Sequence, residues 1–323
     1  ETEAKAVTLR AIAVFDAVAR SGSVAQAALA LGLSPPAVSQ QLRNLEGALG
    51  QALVDHARRP LDLTPAGRAY LPHARAALAE LRAGEAALSL MDLTRLRSLR
   101  LGLIDDFDNE VTPRLTVALA GVLAQCDLTL TTLLSHVILD QVATRKLDIG
   151  VTALPGETLD GIVAVPLLRD PFLLVVPRGH LAGPPDGLGA MRGLPFIRYE
   201  RGQLLGRQIA AQLARLRLNP EGRVEMDSNQ ALMSLVAAGG GWAITTALSV
   251  WRARRLQGQM DVHPLPIAGF ARTIGLVHPV GWQAEIAGVI AATLRDILRA
   301  QVVEPGRAEL PWLGPALTLL PEG

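Results

Sequence analysis

The chain has 323 residues, half of them apolar, and 31 basic against 30 acidic side chains, so it can bury a substantial core as two or three domains. A net charge of +1 neither demands nor excludes a nucleic-acid partner, and any basic patch must be local. A single cysteine, Cys126, excludes an intramolecular disulfide and a cysteine-held metal cluster.

The opening "ETEAKAVTLR" lacks the basic region and apolar core of a signal peptide. The longest charge-free stretch, Ser228 to Trp251, is broken by Gly239, Gly240 and Gly241 and reads as a buried helix, turn and strand rather than a membrane span. A soluble, cytoplasmic chain without membrane contact is expected.

From Thr8, the apolar residues Leu9, Ile12, Phe15 and Val18 recur at helical spacing until Gly22. Ser23 and Gln26 have capping-box spacing and start a second short helix, with Val24, Ala27, Ala28 and Leu31 inside and Gly32 closing it. Ser34 suits the N-cap of a third helix. Pro35 and Pro36 fall in its first turn, where a missing amide donor costs little. Val38, Leu42, Leu45 and Leu49 make its apolar stripe, and Pro36, Ser39, Gln40 and Arg43 its outer face. Such a pair of helices is either a helix-turn-helix, whose second helix lies in the major groove, or an ordinary hairpin with a solvated face.

Leu53-Val54, Arg58-Arg59-Pro60 and Leu61-Asp62-Leu63 read as a short hairpin with arginines at its tip, a wing for phosphates or the minor groove. Thr64-Pro65 caps a long helix in which Leu71, Ala74, Leu78, Leu81 and Leu88 trace a coiled-coil seam and Pro72 predicts a kink.

These segments resemble the DNA-binding domain of LysR-type transcriptional regulators. The resemblance rests on Phe15, on "SGSVAQAALALGLSPPAVSQQLRNLEGALG" with its Ala27-Ala28, Leu45-Glu46 and Leu49-Gly50 pairs, and on "LDLTPAGRAYL". It implies base contacts from Pro36, Ser39 and Gln40, with backbone contacts nearby. The whole DNA-binding set is then Ser23, Ser34, Pro35, Pro36, Ser39, Gln40, Arg43, Arg58 and Arg59. One departure is that Val54 and His56 stand where the family usually has a Phe or Leu and an Arg, so Arg58 or Arg59 substitutes for that contact.

Beyond Leu99, strands and helices alternate: "LRLGLI", a helix from Thr112 to Ala124, "LTLTTLL", a helix from Val137 to Lys146, and "DIGVTAL". That rhythm predicts a parallel sheet with ligand groups beyond the strand ends. A second α/β unit begins near Arg169 with "PFLLVVP", continues through helices Gly206 to Leu218 and Ala231 to Ala238 and the strand "WAITTAL", and "ARTIGLVHPV" with a helix from Glu285 to Ala300 returns to the first. The stretches "RKLDIGV" and "LVAAGGGWAIT" are similar to the LysR effector domain. The fold class is thus α/β with an N-terminal all-α winged helix-turn-helix and a two-lobed effector domain like that of periplasmic binding proteins. Its divisions are 1–65 (winged helix-turn-helix), 65–94 (dimerising linker helix), 95–303 (lobes 95–168 with 265–303, and 169–264) and 304–323.

The effector-binding set that the resemblance implies is Asp105, Asp106, Ser135, His136, Thr152, Gly202, Gln203 and Leu204. Ser135, opening a helix, suits an anion; the alternative is a plain cap. Asp105 and Asp106 repel a carboxylate unless protonated or offset by an arginine such as Arg198 or Arg201, and otherwise signal a neutral or cationic effector or cap the next helix.

Asp106, Asp108 and Glu110 imitate a calcium loop, but Val111 occupies the place of its turn glycine. The histidines lack ligand spacing, and no catalytic grouping stands out. "GGGW" runs from helix into strand, opposite to a phosphate loop. Cys126 reads as core. No metal, cofactor or enzymatic activity is expected. The tail from Glu304, with Pro305, Pro311, Pro315 and Pro321, reads as a loosely ordered extension, or else as an added strand or a docking segment over a neighbouring subunit.

The partners that follow are double-stranded DNA, at an operator near the chain's own or a divergent gene, a small-molecule effector, and further copies as a homodimer or homotetramer. The competing reading is a solute-binding module or small α/β enzyme with an unrelated helical head.

Overall fold

The computed structural model describes residues 7–321 except 59, 94, 95, 124, 157, 158 and 223, and within the long helix it describes no side chain at 79 or 82–93. The chain divides into two compact units, residues 1–88 and 89–323.

In the first unit, α1 (Leu9–Ser21), α2 (Val24–Leu31) and α3 (Pro35–Leu49) are capped by Thr8, Ser23 and Ser34, and closed by Gly22, Gly32 and Gly50 in left-handed conformation. Val38, Leu42 and Leu45 of α3 are fully buried with Phe15, Val14 and Ala27, each large side chain contributing about 1.5–3 kcal/mol. The wing follows as β1 (Val54–Asp55) and β2 (Asp62–Leu63), paired antiparallel.

Then comes α4 (Pro65–Leu93), which contains Pro72. The Thr64 hydroxyl caps it, accepting from the Gly67 amide at 2.9 Å and donating to the Ala52 carbonyl. Gly67 lies so near β1 that a Cβ there would sit 2.0 Å from the Leu53 carbonyl oxygen, so no larger residue fits. Ala74 and Leu78 are buried in the core of this unit and Leu71 packs against it. The early part of the anticipated coiled-coil seam is therefore spent inside the subunit. Leu81 is exposed, and the Leu88 side chain lies outside the described residues.

The second unit runs β3 (Ser98–Leu103), a 3-10 turn (Asp105–Phe107), α5 (Val111–Val122), β4 (Asp127–Thr132), α6 (Ser135–Ala143), β5 (Ile149–Leu154) and β6 (Ile162–Pro177). It continues with β7 (Ile197–Tyr199), α7 (Leu204–Arg215), β8 (Val224–Met226), α8 (Asn229–Ala237), β9 (Ala243–Thr246), α9 (Ala247–Arg252), β10 (Met260–His263), β11 (Ala271–Pro279) and α10 (Ala284–Leu298). β3 pairs in parallel with β4 and β5, as the alternating pattern predicts, while β11 is antiparallel to β5 and β6.

No separate strand opens the second lobe at Arg169. β6 is one strand of 16 residues that pairs with β11 over its first part and with β9 and β10 over its last, so it carries the sheet from one lobe into the other. Its run of buried apolar residues on both faces explains why it reads from sequence as a fresh start. "WAITTAL" is likewise shorter than anticipated, because the Thr246 hydroxyl caps α9 and ends the strand.

The tail is folded. It forms α11 (Glu304–Glu309), a 3-10 segment (Pro311–Ala316) and β12 (Thr318–Leu319). Thr318 and Leu319 pair with Arg169 and Leu168 of β6, and Leu313 and Leu317 are buried in the unit's own core. The prolines shape turns rather than releasing the chain, and the docking surface is its own effector unit.

Candidate functional site

The outer face of α3 is built by its cap. Ser34 accepts from the Ala37 amide at 3.4 Å and Ser23 from the Gln26 amide at 3.4 Å, so both hydroxyls serve helix starts. Pro35, Pro36, Gln40 and Arg43 are exposed and Ser39 is half-buried. Arg43 donates to the Gln40 side-chain Oε1 at 3.1 Å, and the Gln40 side-chain Nε2 donates to Asn44 Oδ1 at 2.9 Å. This ladder orders Gln40 before any contact with a partner. Asn44 was not anticipated, although its spacing of four from Gln40 is the signal that finds it.

The wing is tied at both ends. Glu46 accepts from the Leu53 and Val54 amides at 2.8 and 3.2 Å and from His56 at 3.0 Å, while the Leu61 amide donates to the Gly22 carbonyl at 2.8 Å. His56, at the position the resemblance fills with arginine, is therefore turned toward Glu46. Arg58, read as a phosphate contact, is ion-paired with Asp55 at 3.3 Å and Asp62 at 3.6 Å, which offsets its charge. Arg59 lies outside the described residues. Among those described, Arg43 has no carboxylate within ion-pair distance.

In the second unit, the cleft between the lobes is lined by Asp105 and Asp106 after β3, Ser135 at the start of α6, and Gln203 and Leu204 at the start of α7. Five of the eight anticipated effector residues thus meet in one place. The other three do not line it: His136 is exposed, Gly202 is exposed, and Thr152 is fully buried, donating to the Ser135 carbonyl at 3.4 Å.

The rest of the lining was not anticipated, and it holds the electrostatics. Arg272, on β11, pairs through one nitrogen with Asp106 and through its Nε with Asp170 at 2.8 Å. It also donates to the Thr246 hydroxyl at 3.1 Å. Asp106 further accepts from Ser249 at 2.9 Å and Asn229 at 3.2 Å, both in the second lobe. Tyr199 donates to Asn229 at 2.7 Å and shares a hydrogen bond with Thr245. At the cleft edge, Arg252 of α9 pairs with Asp105 and with Asp108 at 3.2 Å, and Asn109 donates to the Arg252 carbonyl at 3.0 Å. The arginines that offset the acidic run are therefore Arg252 and Arg272, not Arg198 or Arg201. Nor does that run act as a helix cap, since α5 begins without a side-chain cap bond.

Burial alone would lower the Arg272 pKa, but Asp106 and Asp170 raise it above the ordinary value, so the guanidinium stays charged. Desolvation and the neighbouring Asp106 charge push Asp105 up despite Arg252. Burial pushes the Tyr199 phenol up, keeping it a donor. With these groups locked together the free volume is about 40 Å³, room for water but not for an organic effector. Ligand entry must therefore separate side chains that now bridge the lobes.

Residues 9–68 match the family profile described as "Bacterial regulatory helix-turn-helix protein, lysR family", and residues 94–300 match "LysR substrate binding domain". The chain belongs to the LysR family. It is a DNA-binding transcriptional regulator with an effector-binding domain.

Among LysR relatives, the chain is 38% identical over 173 residues to a "Probable hydrogen peroxide-inducible genes activator" of Mycobacterium xenopi, covering 54% of this chain and 91% of that one. It is 26% identical over 280 residues to the "DNA-binding transcriptional dual regulator OxyR" of Escherichia coli K12, covering 85% and 90%. In fold it is similar to a Corynebacterium glutamicum OxyR C206 mutant, with a TM-score of 0.56, 22% identity and coverage of 94% and 95%. It is also similar to full-length CbnR complexed with its target DNA, with a TM-score of 0.51, 20% identity and coverage of 90% and 99%. The α3 face thus belongs to a LysR helix-turn-helix, and the Asp106–Arg272–Asp170 network to a LysR effector domain. No helix among the described residues is long and apolar enough to cross a membrane.

Proposed function

We propose that α3 reads an operator in the major groove through Gln40 and Arg43, with Ser39 and Pro36 against the bases and the wing near the backbone. The single observation that carries this is the exposed Arg43–Gln40–Asn44 ladder, an amide and a guanidinium held outward beside the proline-led helix start. Gln pairs with adenine and Arg with guanine, each bidentate contact giving about 1–3 kcal/mol of discrimination. Ser23 and Ser34 act through the helix starts that they cap. The regulator works as a homodimer or homotetramer on an operator near its own or a divergent gene, without enzymatic activity.

The effector is a small molecule that enters the cleft by displacing the bonds from Ser249 and Asn229 to Asp106, and so favours one lobe arrangement by differential affinity. Because both acidic residues are already neutralised by arginines, the cleft presents hydroxyl and amide groups of Ser135, Asn229 and Gln203 rather than a free cation, which fits a neutral polar effector. The relatives' names raise peroxide as the signal. The only cysteine is Cys126, partly buried just before β4, and burial raises its thiol pKa, which keeps it in the less nucleophilic form. A non-covalent ligand is the reading that we retain.

The test is a gel shift on the intergenic DNA beside the gene. The double variant Gln40→Ala with Arg43→Ala is expected to weaken specific binding by at least about thirtyfold, the lower end of two lost base contacts. Unchanged specific affinity defeats the assignment of this face.

A further inference from the structure

A second cavity, of about 430 Å³, lies in the second lobe between β7 and α7 and is no part of the lining of the cleft except for sharing Tyr199. Phe196, Ile209, Leu213 and Leu218 give it apolar walls, and Arg198, Arg201 and Arg217 stand around it. Among the described residues, none of these three arginines has a carboxylate within ion-pair distance. Arg198 donates to the Pro220 carbonyl at 3.0 Å and stacks over Phe196, while the side chains of Arg201 and Arg217 make no hydrogen bond among the described residues. Glu225, the cross-strand neighbour of Arg198, accepts from the Arg201 backbone amide at 3.1 Å rather than from a guanidinium.

Arg217 adds an independent observation. It follows α7 with a φ of 55°, in the left-handed region that favours glycine, its amide bonded to Ala214 and the next one to Leu213. Arg145 holds the same conformation after α6, but its guanidinium reaches the Val280 carbonyl at 3.4 Å. At Arg217 the strain brings a cation to the cavity with no hydrogen-bond or ion-pair partner for its side chain among the described residues.

We infer that this cavity is a ligand site separate from the effector cleft, and that it takes an organic anion: a carboxylate on a compact aromatic or branched apolar body. The volume falls in the range of small-molecule sites, the walls suit the apolar body, and the arginine fork suits a planar carboxylate. Tyr199 borders both cavities, and its hydroxyl reaches Asn229, which holds Asp106. Occupancy here therefore bears on the same bridge between the lobes.

The experiment is calorimetric titration of the full chain with 2-naphthoate, beside the neutral 2-naphthylmethanol. Naphthoate is expected to bind once per chain, about tenfold more tightly than the alcohol, as a charge-assisted hydrogen bond implies. Arg201→Ala with Arg217→Gly, a pair that relieves strain and spares the core, should lose that preference. Ala210→Trp, which fills the cavity from an exposed position on α7, should abolish binding, with melting curves showing each variant folded. Equal binding of acid and alcohol, an unaffected Arg201→Ala/Arg217→Gly variant, or naphthoate binding that survives Ala210→Trp overturns the inference. So does binding seen only on dilution to monomers, which would make a second copy of the chain the occupant.

Discussion

Replacing Arg272 by methionine removes the cation shared by Asp106 and Asp170 while keeping the volume of the side-chain stem. The three side chains are 5%, 5% and 0% exposed, so neither carboxylate can recover its hydration in place. Breaking a buried pair by removing one partner costs about 3–5 kcal/mol, because the other charge stays buried. Asp170 retains the Leu248 amide at 3.0 Å, and Asp106 retains Ser249 and Asn229, so the residual donors hold the loss near the middle of that range. We expect about 4 kcal/mol at pH 7, a large share of the ~5–15 kcal/mol that stabilises a typical domain. Urea unfolding followed by tryptophan emission measures it cleanly, since Trp242, Trp251, Trp282 and Trp312 all lie in the second unit. The sign with pH is fixed. Burial already holds Asp170 above the ordinary carboxylate range against the Arg272 charge, and losing that charge raises it further, so the deficit is full at neutral pH and shrinks as the pH falls through the raised value. Adding Asp170→Asn should recover part of the loss. A deficit below about 1 kcal/mol, or one that does not change between pH 7 and 5, refutes the claim that Arg272 neutralises two buried charges.

Three further outcomes follow from the same geometry. Gly67→Ala places a methyl group against the Leu53 carbonyl and should destabilise the first unit by about 3 kcal/mol, read by thermal unfolding and by loss of operator binding. Glu46→Ala strips acceptors from two buried backbone donors, a loss of about 2 kcal/mol, and the Leu53 and Val54 amides should exchange faster with deuterium while those in the middle of α1 do not. Asp105 should titrate above the ordinary carboxylate range in carbon NMR of its side chain, and Asp106→Asn should bring it down, because the Asp106 charge is the cause of the shift second only to desolvation. A raised folded pKa makes ionised Asp105 a burden at neutral pH that is relieved on acidification.

The local structure of the first unit was legible because its signals are local. Ser34 and the two prolines start α3, Gly50 stops it, and Leu42 and Leu45 face inward, all within one segment. Side-chain fates across the unit were less legible: Glu46 reaches seven to ten residues on to hold the wing, and Ala74 and Leu78, spaced like a seam for a partner, turn into their own core. In the second unit the strand ends pointed to Asp106 and Ser135, since helix starts gather there by topology alone, while Gln203 came only from the family resemblance. Arg272 and Asp170 could not be found that way. They lie 102 positions apart inside apolar strands, and only the sheet that carries β11 beside β6 brings them together. Arg198 and Arg201 looked equally able to serve the acidic run, and nothing in the linear order tells which arginine the fold delivers.

β12 is laid on β6 at Leu168 and Arg169, a few residues before that strand passes from β11 to β9. The Leu320 amide extends the clasp to Leu167, and Arg169 returns a bond to the Ala316 carbonyl at 2.8 Å. A ribbon sewn along its margin resists torsion more than a bare one, so any lobe motion that twists β6 here works against this clasp. Residues 316–320 thus stiffen the passage between the lobes, and removing them is expected to loosen the cleft while leaving every residue that lines it in place.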